Sequence, residues 1–336
     1  MQWDGTERIR FCLHRFLGSD TDDYTYEALK LFLLGAISRA FKPGRKFEVM
    51  LCLVGGQGAG KSSFFRLLAV NDDWFSDDLK KLDDENVYRK MQGHWIIEMS
   101  EMIATANAKS IEEIKSFLSR QKETYKIPYE THPADRKRQC VFGGSSNTLD
   151  FLPLDRTGNR RFVPVMVYPE RAEVHILADE QASREYINQM WAEAMEIYRS
   201  GNFRLRFSPA MNDYLKAHQK DFMPEDTKAG QILDYLERYS GSIVCSKQLY
   251  KEALGHDYDE PKQWELREIN DIMNNAVTGW RAFSNPRYFP EPYRRQKGWE
   301  RIRNDNEPDN SMDGFQEIPT EEMEQLGLPE EWLKQK

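Results

Sequence analysis

Residues 51–62 read Leu-Cys-Leu-Val-Gly-Gly-Gln-Gly-Ala-Gly-Lys-Ser, and this run decides the fold class. Leu51 to Val54 are apolar and suit a buried strand. They lead into Gly55-x-x-x-x-Gly60-Lys61-Ser62, and then into Ser63-Phe64-Phe65-Arg66-Leu67-Leu68, which has helical spacing. Strand, glycine-rich loop and helix in that order form the context that a phosphate-binding P-loop requires. Glycines let the backbone wrap so that successive N–H groups face phosphate oxygens, and the helix start adds partial positive charge. The expected cradle is therefore Gly55, Gly56, Gln57, Gly58, Ala59 and Gly60, continued by Lys61, Ser62 and Ser63. Lys61 is expected to reach the β- and γ-phosphates of ATP, and the Ser62 hydroxyl to ligate Mg²⁺.

A carboxylate near that loop is the next requirement. Trp95-Ile96-Ile97-Glu98-Met99-Ser100-Glu101 reads as a neighbouring strand and supplies two, Glu98 at the strand end and Glu101 just beyond. Glu98 is assigned to the metal and Glu101 to water activation, with the roles exchangeable. Asn147 follows Gly143-Gly144-Ser145-Ser146, where small residues allow close approach, and is the expected polar sensor of the γ-phosphate. Developing charge on the transferred phosphoryl calls for a cation, which an adjacent subunit can supply as an arginine finger. Arg156, Arg160 and Arg161 lie together in the loop that follows. No Asn-Lys-x-Asp guanine-recognition sequence occurs, so a GTPase is disfavoured.

With 336 residues the chain is long enough for two domains. Its apolar fraction of 40% and charged fraction of 30% fit a soluble globular protein rather than a disordered or membrane-spanning one. No apolar run is long enough to span a membrane, and the first residues lack the features of a secretory signal. Cys12, Cys52, Cys140 and Cys245 lie far apart, which argues against a disulfide framework or a zinc site. A cytosolic protein is expected. The net charge of −8 resides in residues 304–336, where ten acidic residues face Lys334 and Lys336. The other residues balance, and two cation-rich stretches stand out, 115–138 and 281–303. Each is either a solvated face or a nucleic-acid surface; interleaved aromatics (Tyr125, Tyr129, Tyr288, Tyr293) favour the second.

Apolar periodicity predicts helices over 24–41, 85–91, 109–120 and 170–198, and strands over 47–54, 94–99, 139–147 and 161–167. Alternating strands and helices imply an α/β fold with a mostly parallel sheet covered on both faces. Ser208-Pro209 and residues 223–226 read as a linker. Beyond it come three helices, 230–239, 246–254 and 261–277, and two strands, 279–283 and 298–302, flanking a Pro-rich loop. That order fits a winged helix-turn-helix better than a plain helical cap. The expected organisation is an N-terminal helical segment (1–46), a P-loop ATPase core (47–210), a winged-helix-like domain (226–303) and an acidic tail (304–336).

Several motifs occur together in a fixed order: Trp3-Asp4-Gly5, Lys42-Pro43-Gly44, the glycine-rich loop, Gly93 to Glu101, Ile114-Lys115-Ser116-Phe117, Pro128-Tyr129, Gly144-x-x-Asn147 and Phe151 to Phe162. Over about residues 1–210 the chain resembles the virulence-associated protein E (VirE/VapE) family of phage and mobile-element replication proteins. That family is related to superfamily 3 helicases, AAA+-like motors that assemble as rings, usually hexamers. The resemblance implies ATP hydrolysis at subunit interfaces, with Mg²⁺, Asn147 as sensor and Arg160, or second Arg161, as finger in trans. It also implies a DNA-gripping hairpin at Lys122 to Arg138, with Lys122, Tyr125, Lys126, Arg136, Lys137 and Arg138 as contacts. The implied partners are single-stranded or forked DNA, further copies of the chain and other replication proteins, in the cytoplasm of a bacterial host. The alternative is an ATP-switched origin-binding initiator or loader without unwinding activity. Two departures stand out. The two carboxylates are separated by two residues where many superfamily 3 members have an adjacent pair. No primase module is visible, so priming is not expected.

Overall fold

The computed structural model describes residues 2–79, 82, 87–101, 108–126, 132–154 and 159–302. It divides into two compact units, Met1–Thr227 and Lys228–Lys336. The acidic tail and Arg156 lie outside the described residues.

The first unit begins with α1 (Ile9–Leu17) and α2 (Asp23–Phe41), followed by β1 (Met50–Val54), α3 (Lys61–Leu68) and β2 (Phe75–Ser76). Next come α4 (Val87–Lys90), β3 (Ile96–Ser100), α5 (Ala108–Leu118), the strands β4 (Lys122–Tyr125) and β5 (Ala134–Lys137), and β6 (Val141–Ser146). The unit closes with β7 (Phe162–Met166), α6 (Glu180–Ser200) and α7 (Pro209–His218). Five strands form one sheet in the order β2-β3-β6-β1-β7, and every pairing is parallel. β1 is buried along its whole length, and its side chains alternate between two cores. Leu51 and Leu53 join α1, α2, α3 and α6, while Met50, Cys52 and Val54 join Phe117, Phe142 and Phe222 on the other face. A sheet covered on both faces needs such continuous apolar strands, which is why the sequence advertises it so clearly.

β6 is the exception that shapes the unit. Gly143 and Gly144 carry no side chains at the centre of the sheet. A Cβ at Gly143 would lie 2.4 Å from the Phe65 ring, so the glycine is what lets α3 settle on the strand. The same register row sets Leu51, Gly143 and Glu98 side by side, because β1, β6 and β3 pair there. Residues 143–146 read in sequence as a small-residue turn; they are instead the last four positions of β6, all buried. Arg39, at 1% exposure, ties α2 to the entry ends of these strands. Its guanidinium donates to the carbonyls of Cys140 (2.7 Å) and Phe47, and burial pushes its pKa down to about 10.

Two expectations need correction. The long helix begins at Glu180, capped by the Asp179 carboxylate on the Ala182 N–H (2.9 Å), and not at Glu170. Ser208-Pro209 is not a linker: Ser208 caps α7, and Leu215 and Phe222 after it are buried in the first unit. Pro at the first helical position suits a helix start as well as a break, and the sequence pattern alone did not separate them.

The second unit contains α8 (Thr227–Arg238), β8 (Ile243–Cys245) and α9 (Ser246–Gln248), which runs on into a π-helical turn, Leu249–Ala253. Then follow α10 (Gln263–Asn275), β9 (Trp280–Ala282), the hairpin β10 (Arg287–Phe289) and β11 (Arg294–Gln296), and β12 (Gly298–Arg301). β8, β12 and β9 make an antiparallel sheet with β12 in the middle. Ile232, Leu249, Ile269, Ile272 and Trp299 fill the core between helices and sheet. The Pro-rich loop of the sequence reading is thus itself a strand pair.

Replacing Gly143 by Ala is expected to cost about 1–3 kcal/mol through overpacking against Phe65. Gly56→Ala, where an added Cβ meets nothing within 4 Å, is the control and should cost far less. Urea unfolding of both variants measures the difference.

Candidate active site and nucleic-acid surface

The glycine-rich loop joins the C-terminal end of β1 to α3. Gly58 and Gly60 both take φ +80°, a left-handed conformation that glycine alone adopts freely. Gly55 is needed for space: a Cβ there would lie 2.5 Å from the Val167 carbonyl oxygen. Gly60 caps α3, whose first N–H groups have no acceptor within the helix. Gly56, Gln57 and Gly58 are exposed and Ala59 is buried, so the loop shows backbone rather than side chains to solvent.

Lys61, the first residue of α3, turns back over the loop. Its ammonium donates to the carbonyls of Gly55 (2.6 Å) and Gly56 (2.8 Å) and to Asn147 Oδ1 (3.0 Å). Burial lowers its pKa, while Glu101 and Glu98 pull in the other direction. Ser62 Oγ donates to Glu98 Oε1 at 2.8 Å, and Ser145 Oγ donates to the same oxygen at 2.5 Å. Glu98 is fully buried, which raises its pKa against the effect of the two hydroxyls. Its second oxygen, Oε2, is buried with no hydrogen-bond partner among the described residues. A buried carboxylate oxygen without a donor is costly. It is also what a cation, or a water on one, would satisfy. Ser63 stands half-buried on the next position of α3.

The sequence placed Glu98 at the end of a strand neighbouring β1. In fact β6 lies between β1 and β3, and β3 runs on to Ser100. Glu98 still meets Ser62, because Gly143 puts no side chain in the way. Glu101 has φ +51°, and its Oε1 accepts the Asn147 N–H at 2.8 Å. In this geometry it holds Asn147 in place. Ser145 is the residue that sequence reasoning missed; its only signal was its place in a run of small residues.

Arg160 and Arg161 are not at this site. They enter β7, whose Phe162 pairs with Met50 at the start of β1. From Met50 to Gly55 the sheet extends about 17 Å at 3.3 Å per residue. Both arginines instead meet Glu48. Arg160 Nη2 lies 3.0 Å from Glu48 Oε1, with a side chain that is 67% exposed. Arg161 is more enclosed, near Glu48 (3.4 Å) and the Ser119 hydroxyl (2.9 Å). Burial would raise the Glu48 pKa, but Ser119 and the two arginines hold it below the usual carboxylate range.

β4 and β5 pair as an antiparallel hairpin, with Lys122 opposite Lys137 and Tyr125 opposite Ala134. Residues 127–131, including Tyr129, lie outside the described residues. Lys122 is ion-paired with Asp135, and Lys126 and Lys137 are exposed. Tyr125 stacks on Tyr88 with ring centroids 5.9 Å apart, and the Arg136 guanidinium lies 5.2 Å from the Tyr125 ring. A cavity of about 910 Å³ runs beside the hairpin, walled by Tyr88, Tyr125, Trp74, Trp95 and Arg136. It is lined by neither Lys61 nor Glu98, so it belongs with the hairpin and not with the loop. Arg138 stands among the residues around this cavity but exposes no side chain, whereas the sequence expectation made it a DNA contact. Its side chain is fully buried, paired with Glu123, hydrogen-bonded to the Phe117 carbonyl (2.7 Å) and 4.6 Å from the Phe117 ring.

The model of the virulence-associated protein E-like domain matches residues 1–224, and the chain belongs to that family. No curated protein matches it. Among solved structures, three of the NrS-1 C-terminal region align with 88% of this chain and 75–76% of theirs, at 13–14% identity. Their TM-scores are 0.48, 0.47 and 0.50. At that identity the likeness to the last of these, an A-form apo structure, concerns the fold alone. No described helix is long and apolar enough to cross a membrane.

Arg138→Ala would leave Glu123 buried without its main partner and is expected to destabilise the fold by about 3–5 kcal/mol. Lys137→Ala, one position earlier and exposed, should change stability by less than about 0.5 kcal/mol. Denaturant titration of the two variants checks the assignment.

Proposed function

We propose that this chain is an ATP-driven, ring-forming motor on single-stranded or forked DNA, acting in the replication of a phage or mobile element. The observation that carries the reading is the meeting of Lys61, Ser62, Glu98 and Asn147 at a glycine-rich strand-to-helix loop. In this reading the loop is a P-loop whose amides and Lys61 hold the triphosphate of ATP. Ser62 and Glu98 fit Mg²⁺, given the orphan Oε2 of Glu98 and a serine hydroxyl on its other oxygen. Mg²⁺ bound there would neutralise charge on the β- and γ-phosphates. Lys61 exchanges a loop carbonyl for phosphate oxygen, and its bond to Asn147 links that event to the end of β6. In this reading Glu101, which accepts the Asn147 main-chain N–H, positions Asn147 and orients the attacking water.

Arg160 supports the ring. It lies at the opposite end of the sheet from its own loop, so a role on phosphate requires the loop of another copy. Release of the exposed Arg160 side chain leaves Glu48 its contacts with Arg161 and the Ser119 hydroxyl. Arg161 is the second choice, because its contacts with Ser119 and Glu48 enclose it. The β4–β5 hairpin, with exposed Lys126 and Lys137 and a stacked tyrosine, supplies the DNA grip. The initiator or loader reading draws on the second unit, whose three helices and three-stranded sheet we read as a winged helix.

Lys61→Ala and Glu98→Gln are each expected to reduce DNA-stimulated ATP hydrolysis by at least about 10²-fold. Equimolar mixing of Lys61→Ala with Arg160→Ala protomers should recover part of the activity, since each supplies what the other lacks. No recovery, with both variants folded and assembled, would count against a finger in trans. Strand displacement on a forked DNA by the parent protein separates the motor from a loader, which would hydrolyse ATP without unwinding.

A further inference from the structure

The second unit separates its charge. Within Asp257 to Asn275, six carboxylates stand against Lys262 and Arg267, a balance of −4, which Lys247 and Lys251 on Glu260 and Lys228 on Glu268 offset in part. From Arg281 to Arg301, six cations face only Glu291 and Glu300, a balance of +4. α10 lies in the acidic stretch and β9 to β12 in the basic one. An acidic helix is repelled by a groove walled with phosphates, so α10 is poorly suited to read a duplex.

The cations of the basic stretch are not equivalent. Arg301 donates to the carbonyls of Leu236 (2.9 Å) and Tyr239 (2.5 Å) and is spent on the fold. Arg281 and Arg287 share Glu300, at 2.8 and 2.7 Å, and Arg294 lies 3.4 Å from Glu291. Arg295 and Lys297 are exposed and have no carboxylate partner among the described residues. Across the hairpin, Tyr288 pairs with Arg295, so the two share a face. That tyrosine is 69% exposed, whereas its neighbour Phe289 is buried at 1% beside Phe283 and Cys245. One face of the hairpin anchors it, and the other presents an aromatic ring beside Arg295, whose Nε reaches only the Pro286 carbonyl (3.4 Å), with exposed Lys297 two residues on.

We propose that this outer face, Tyr288 with Arg295 and Lys297, is a second contact for single-stranded nucleic acid, and that α10 is not a recognition helix. Unpaired bases stack on an exposed ring whatever their identity, and flanking cations take the phosphates. A duplex offers such a ring only its end. The inference rests on the nucleic-acid reading above but needs neither the ATP site nor the β4–β5 hairpin.

The test is fluorescence anisotropy of the full chain, without nucleotide, with labelled oligothymidylate and with a blunt duplex of equal length. Tyr288→Ala is expected to weaken oligothymidylate binding about tenfold, and Tyr288→Phe to restore it. Arg295→Ala combined with Lys297→Ala should reduce the steepness of log affinity against log salt by about 1.4, the value for two phosphates of a single strand. Trp264→Ala and Arg267→Ala, exposed on α10, should change affinity less than twofold. Thermal melts verify folding, since every substituted side chain is exposed. Unchanged binding in the hairpin variants of a protein that does bind DNA overturns this inference alone. Loss of duplex binding in the α10 variants overturns it in favour of helix recognition. A parent protein that binds neither probe overturns both it and the proposed function.

Discussion

The seating of α3 on Gly143 is the contact from which the rest of the first unit follows. Phe65 occupies the space where a side chain of β6 would stand, which fixes the height of α3 above the sheet. Lys61 and Ser62, one turn earlier on the same helix, are thereby set over the ends of β1 and β6. The missing side chain also opens the row from Leu51 to Glu98, so a carboxylate two strands away from the loop can meet Ser62. Bulk at this one position would lift the helix and separate the pair together.

Buried polar groups are used differently on the two sides of the unit. Arg39 is held by main-chain carbonyls, and Arg138 by Glu123, a carbonyl and aromatic rings, with its Nε left without a partner among the described residues. Groups tied down at several points in this way hold an arrangement in place. Glu98 is only half satisfied, with two hydroxyls on one oxygen and no partner among the described residues for the other. An unmet buried carboxylate oxygen costs stability, and that cost is usual where a site is built to receive something. What sets Glu98 apart is that its unmet oxygen belongs to a carboxylate beside Ser62 and the glycine-rich loop.

Direction in the sheet carries the same logic. All five strands run parallel, so one end gathers the glycine-rich loop, Asn147 and Glu101, and the other gathers Glu48, Arg160 and Arg161. The two sets of groups are about one strand length apart and cannot meet within one chain. A ring in which each copy presents its arginine end to the next copy's loop would bring them together.

Much of this was legible in the sequence, for physical reasons. Gly58 and Gly60 must take a left-handed conformation, Lys61 and Ser62 must start a helix, and β1 must be apolar on both faces; each demand leaves a local mark. The alternation of strands and helices, and the charge segregation beyond residue 257, were equally open to reading. What the chain brings together from afar left no such mark. Ser145 looks like any turn serine until β3 lies beside it and Glu98 needs a donor. Arg138 looks like its neighbour Lys137 until Glu123 and Phe117 enclose it. Burial and strand order are properties of the packed molecule, because they depend on which distant residues share a layer, and only the tertiary structure decides that.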